Sequence, residues 1–132
     1  VCSVKFIESL NVHADTRLNP YVCVIGGRII YQLVNTDTNL PVPNVTCSEV
    51  VSSNSQTNVI VLPFTWTGSG TTNAQGMFKD TLVVPYLGSC DLGDQVVKDQ
   101  TISCTDAVPL NQEVHLRVID SVGGAVVDRI QK

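Results

Sequence analysis

The sequence predicts an all-β domain built as an antiparallel sandwich, on three observations. Apolar and polar residues alternate with period two through most of the chain. Gly, Pro and Asn turn signals recur every ~8–12 residues. No stretch carries the 3.6-residue apolar spacing of an amphipathic helix. About eight or nine strands follow, in a single domain over 1–132. A small barrel is the other closed arrangement of the same strands.

The first predicted strand is 4–10. Residues 21–25 and 28–35 form the next two, joined by Gly26-Gly27, a two-residue hairpin signal because both glycines accept positive φ. The turn-rich stretch 36–43 leads into a strand at 44–51. Residues 52–58 (Ser-Ser-Asn-Ser-Gln-Thr-Asn) read as a polar loop with no apolar anchor. The strand at 59–66 contains Pro63, which cannot donate to a ladder and so marks an edge or a bulge. Residues 67–76 turn again and end on Gly76, placed to close a type I turn with a left-handed residue. Strands at 77–84 and 96–104 flank an irregular stretch, 85–95. In 113–120, Val114, Leu116 and Val118 alternate with Glu113, His115 and Arg117. After Ser121-Val122-Gly123-Gly124 the chain returns as 125–131.

Composition narrows the function. Of 132 residues, 43% are hydrophobic and only 15% charged, so a packed core forms and the surface is covered by Thr, Ser, Asn and Gln, as in exported β proteins. A net charge of −4, with eight scattered basic residues, gives no stripe to neutralise phosphates, which excludes nucleic acid as a partner. No apolar run approaches the ~18 residues of a spanning helix. The first residue is Val, which fits a removed signal peptide.

Five cysteines, Cys2, Cys23, Cys47, Cys90 and Cys104, stand at long spacings without a metal-ligand pattern, which fits an oxidising compartment. Two bridges and a spare allow about fifteen arrangements. The reading adopted pairs Cys2 with Cys23 and Cys90 with Cys104, short loops worth roughly 3 kcal/mol each through the unfolded state. Cys47 is then the unpaired candidate, either a small buried hydrophobe or a link to another molecule.

Two segments resemble known modules. Asn39-Leu40-Pro41-Val42-Pro43-Asn44-Val45-Thr46 resembles the strand entry of bacterial immunoglobulin-like modules of the invasin and intimin type. Thr71-Thr72-Asn73-Ala74-Gln75-Gly76-Met77-Phe78 resembles the hairpin that those modules carry further on, in the same order. The match covers the middle third of the chain, and transthyretin-like sandwiches share it more weakly. The resemblance implies an immunoglobulin-like sandwich acting as a spacer, adhesive tip or assembly unit on a cell surface, without catalytic residues. It also implies that Cys47 fills a core position. The Cys…Trp…Cys spacing of antibody domains is absent.

The remaining candidates are weaker. His13 with Asp15 is half a metal site at most. Asp91, Asp94, Asp99 and Asp106 form an acidic run that reads as solvated or as a calcium loop of unfamiliar spacing. Phe64, Trp66, Tyr21, Tyr31 and Tyr86 are equally a sugar-stacking platform or core. Ser69 lacks the strand-to-helix turn of a nucleophile elbow. His115 reads as a solvated strand residue. Asn44-Val45-Thr46 is a glycosylation sequon, usable if Asn44 faces outward.

No catalytic group, cofactor site or metal site is expected. The function expected is that of a non-catalytic extracellular or cell-surface structural or adhesive protein. Its partners are further copies of itself or other surface proteins, joined into a fibre or surface assembly by pairing of the terminal segments (Val4 and Phe6, or Val126 and Ile130) with a neighbour's sheet edge. A carbohydrate- or small-ligand-binding module is the alternative.

Overall fold

The computed structural model describes residues 1–64, 69–120 and 122–132, without the side chains of Arg17 and Leu18. It is all-β, with no helix among the described residues, and its strands form two facing sheets. Seven strands are long: β1 (Cys2–Asn19), β2 (Val22–Asn35), β4 (Thr46–Ser53), β7 (Met77–Leu87), β8 (Gln95–Cys104), β10 (Leu110–Val118) and β11 (Ala125–Gln131). Four have two residues each: β3 (Leu40–Pro41), β5 (Ile60–Val61), β6 (Gly70–Thr71) and β9 (Ala107–Val108). One sheet runs β5-β7-β2-β1-β9, with β3 also on β2; the other runs β11-β10-β8-β4-β6.

The alternation in each strand decides which side chains enter the core. Ile25, Ile29, Tyr31 and Leu33 of β2 face Val96, Ile102, Val114 and Leu116 of the other sheet, all at most 2% exposed. The alternating pattern in β7 buries Phe78, Leu82, Val84 and Tyr86 and, in the same register, Asp80.

Gly26 and Gly27 are not a hairpin turn. β2 runs straight through them, pairing with β1 on one side and β7 on the other. The two glycines answer a close approach. A Cβ on Gly27 would sit 3.0 Å from Val12 Cγ2 and 3.1 Å from Val12 Cα, where β1 bulges between Leu10 and His13 and Asn11 takes φ 54°. The true hairpin lies earlier, at Pro20-Tyr21, so the first strand is much longer than the expected 4–10. Gly76 does close its turn with φ 71°, its N–H donating to Asn73 O at 2.9 Å.

The polar loop after β4 has no apolar anchor yet is docked. Asn54 Nδ2 donates to Asp99 Oδ1, Gln56 Nε2 to Glu113 Oε1, and Thr57 Oγ1 to Val97 O; Thr57 Oγ1 in turn accepts from Val97 N. Val97, on the outer face of its sheet, is thereby fully buried. Of the strand expected at 59–66 only β5 forms within the described residues, and Thr65 and Trp66 lie outside them.

Candidate functional site

The cysteine pairing is not the one expected. Cys23 bonds Cys90 and Cys47 bonds Cys104, which leaves Cys2 as the free thiol, half-buried. Strand direction explains both corrections. Cys2 stands opposite Asn35, and the β2 backbone from there to Cys23 spans about 40 Å at strand rise, so those two sulfurs never meet. Likewise β8 carries Cys104 to the far end of the sheet from Cys90. Cys47 falls opposite Cys104 in the β4–β8 register with Cα atoms 4.1 Å apart, the spacing of a non-hydrogen-bonded antiparallel pair. Cys47 is indeed buried, as a half-cystine. One bridge staples neighbouring strands and the other ties β2 to the loop after β7. Neither follows the inter-sheet pattern of antibody domains.

The terminal segments already sit in their own sheets. Val4 and Phe6 pair with Leu33 and Tyr31 and pack against the core, Phe6 meeting the Tyr31 ring edge-on at 6.3 Å. Val126 and Ile130 pair with Arg117 and Glu113 of β10 and lie on the outer face, Ile130 being 55% exposed. Among the described residues the far side of β11 is largely open, as are stretches of β1, β4 and β7. β1 is joined to β11 at the start, where Ala14 N donates to Gly123 O at 3.0 Å and His13 stands opposite Gly124, an antiparallel bridge that also engages the Ala125 N–H. The bonds Lys132 N to Asn111 O and Ile119 N to Gly124 O fix the alternation of the β10–β11 ladder. Val126, Asp128 and Ile130 bond to β10, so the backbone groups of Ala125, Val127, Arg129 and Gln131 point away from it.

Between the sheets lies a polar cluster that sequence reading missed. Tyr31 Oη donates to Gln100 Oε1 at 2.9 Å, and Gln112 Nε2 donates to both that oxygen and Tyr31 Oη. Gln100 Nε2 donates to Asp80 Oδ2 at 2.9 Å and also to Glu49 Oε2. At the rim Arg129 Nη1 donates to Gln112 Oε1 at 3.0 Å while its guanidinium lies 4.2 Å over the Phe6 ring. Burial raises the Tyr31 pKa above the tyrosine range, and the charges of Asp80 and Glu49 push it the same way. The phenol is thus held protonated, donating to Gln100 and accepting from Gln112. The signal was present in the strand alternation, which places Asp80, Gln100 and Gln112 in inward register. Nearby, burial lowers the Lys98 pKa; its ammonium sits 5.2 Å over the Phe64 ring.

The other candidates are dispersed. Asp94 Oδ2 is committed to Tyr86 Oη and Asp91 N, Asp99 pairs with Lys132 at 2.8 Å, and Asp106 stands apart in the turn before β9. His13 Nε2 lies 4.0 Å from Asp15, and among the described residues no group of three or more His, Cys, Asp or Glu could hold a metal. Tyr31 and Tyr86 are fully buried, so they cannot stack on a sugar; Tyr21 is exposed, Phe64 half-buried, and Trp66 lies outside the described residues. His115 is not a solvated residue, its side chain being 12% exposed with Nε2 3.0 Å from Glu113 Oε1. Asn44 is exposed, in the turn before β4 rather than inside a strand, with φ 59°. Ser69 is exposed and leads into β6.

Among the described residues, the features open to another molecule are sheet edges and an exposed surface. Searches against protein-family models, curated proteins and solved structures return no match to the chain.

Proposed function

We propose that this chain is an exported, non-catalytic immunoglobulin-like sandwich that serves as a structural or adhesive unit of an extracellular or cell-surface assembly, joined by strand addition. The observation that carries the reading is the open outer side of β11, a regular seven-residue terminal strand; among the other long edges, β1 is broken by bulges, and β7 and β4 are each capped at one end by a two-residue strand. Two disulfides fit an oxidising extracellular environment. The invasin-like turn over residues 71–78 and the sparsely charged Thr- and Asn-rich sequence agree with a surface role.

Light scattering on native protein over a concentration series tests it. The mass is expected to rise above the 14.2 kDa of one chain as concentration increases, and a constant 14.2 kDa would refute the reading. A non-reducing gel of the same samples separates strand addition, which detergent disrupts, from a bridge through Cys2.

One observation favours the ligand-binding alternative. A cleft of about 340 Å³ opens between the sheets, with Leu33, Val42 and Val45 as apolar floor and Asn44, Thr46 and Asp106 at the rim. Thermal-shift screening of glycans and small amphiphiles addresses it, and the cleft reading requires a hit that Val45→Arg abolishes.

A further inference from the structure

The open edge of β11 fits one partner in particular, and the inference rests on the strand-addition reading above. We infer that β11 pairs antiparallel with β11 of a second copy about a two-fold axis at Asp128, joining two five-stranded sheets into one.

Three features of the strand select this occupant. The first is hydrogen-bond parity. Only the odd-numbered residues offer backbone groups on the open side, and a two-fold through Asp128 sets Val127 against Arg129 of the second copy and Ala125 against Gln131. Odd faces odd, so the outward N–H and C=O groups of Val127 and Arg129 meet their counterparts; the Ala125 N–H is already taken by β1 through the His13–Gly124 bridge, which leaves at most about six inter-strand bonds. A two-fold shifted by one residue along the strand, to Val127 or to Arg129, keeps the parity but not the side-chain match.

The second feature is that match. The axis at Asp128 places Val126 opposite Ile130 on the outer face, so the exposed Ile130 gains an apolar cross-strand neighbour at both ends of the ladder. Moving the axis to Arg129 would set Asp128 against Ile130 and bring the two arginines together.

The third feature is charge. The two Asp128 carboxylates would meet at the axis, where a bare pair would repel. Each already accepts a hydrogen bond from Arg117 of its own β10, so the junction is neutral overall. Arg129 points inward, a device that often protects an edge from pairing. Here its guanidinium is turned into the protein, over Phe6 and against Gln112, and leaves the edge unobstructed. The free run ends where β1 reaches Gly123, Gly124 and the Ala125 N–H, which limits complete pairing to the stretch from Val127 onward.

Disulfide trapping tests the register. In a Cys2→Ser background, the pair Val126→Cys and Ile130→Cys stands four residues apart on one strand face, too far to bridge within a chain but opposed across the proposed axis at the ~4.5 Å Cα spacing of a non-hydrogen-bonded pair. A reducible covalent dimer under mild oxidation is expected. In a second arm without cysteines in β11, Val127→Pro removes an outward N–H without touching the bonds to β10, and dimer dissociation is expected to become at least tenfold easier. A chain that associates by light scattering but neither cross-links at 126 and 130 nor responds to Val127→Pro would overturn the β11 pairing while leaving the assembly reading in place. A chain that stays at 14.2 kDa would overturn both.

Discussion

Gln100 holds the centre of the inter-sheet network, giving its amide to Asp80 and Glu49 and its carbonyl to Tyr31 and Gln112. Gln100→Leu keeps the volume but withdraws a donor from two carboxylates, one of them fully buried. A loss of about 2–3 kcal/mol in chemical denaturation is expected, and a neutral effect would show that the network carries little stability. Tyr31 and Tyr86 add a pH dependence. Burial raises both phenols, with the charge of Asp80 acting next on Tyr31 and the hydrogen bond to Asp94 next on Tyr86. The native state keeps protons that the unfolded chain releases above about pH 10, so this stability is complete below that pH and is lost as pH rises. The loss is roughly 1.4 kcal/mol per pH unit for each tyrosine. Denaturation measured from about pH 9 to about pH 11.5 should steepen accordingly, with Tyr31→Phe visibly shallower; equal slopes for the two proteins would contradict the assignment. These residues were legible in part. The strand alternation puts Asp80 and Gln100 on the inward face, but only the facing sheet supplies their partners.

At the scale of elements, β7, β8, β10 and β11 could be read within a few residues of their ends, because each has one buried face and a clean alternation. β1 and β2 could not. A glycine pair is locally as good a hairpin turn as a strand centre, and only the packing of the β1 bulge against Gly27 decides between them. Gly27→Ala would press a Cβ into Val12 backbone. A loss of about 1–3 kcal/mol is expected, against almost none if the pair were a surface turn. The bridges failed for a similar reason. Short spacing suggested short loops, whereas antiparallel strands carry residues close in sequence to opposite ends of a sheet. The observed bridges close loops with sequence separations of 67 and 57, each worth about 4 kcal/mol by chain entropy. Thiol titration of the unreduced, denatured chain should therefore count one cysteine, and alkylation mapping should find it at Cys2. A label on Cys47 would contradict the fold.

For the whole molecule, two sheets, two staples and a polar inter-sheet network give a body in which β11 ends one sheet, its far side open beyond Ala125 among the described residues. On the strand-addition proposal, this edge is the one through which copies of the chain join. The claim could be approached from sequence only as far as the expectation that a terminal segment pairs with a neighbour; which groups are free depends on the parity of a ladder that sequence does not show. Residue-resolved hydrogen exchange reads that parity directly. In dilute protein the amides of Val126, Asp128 and Ile130 should be protected by β10 while those of Val127, Arg129 and Gln131 exchange fast. As concentration rises, the second set should become protected as well. Odd-numbered β11 amides that stay fast at every concentration, in a chain whose even-numbered amides are protected, would contradict the claim.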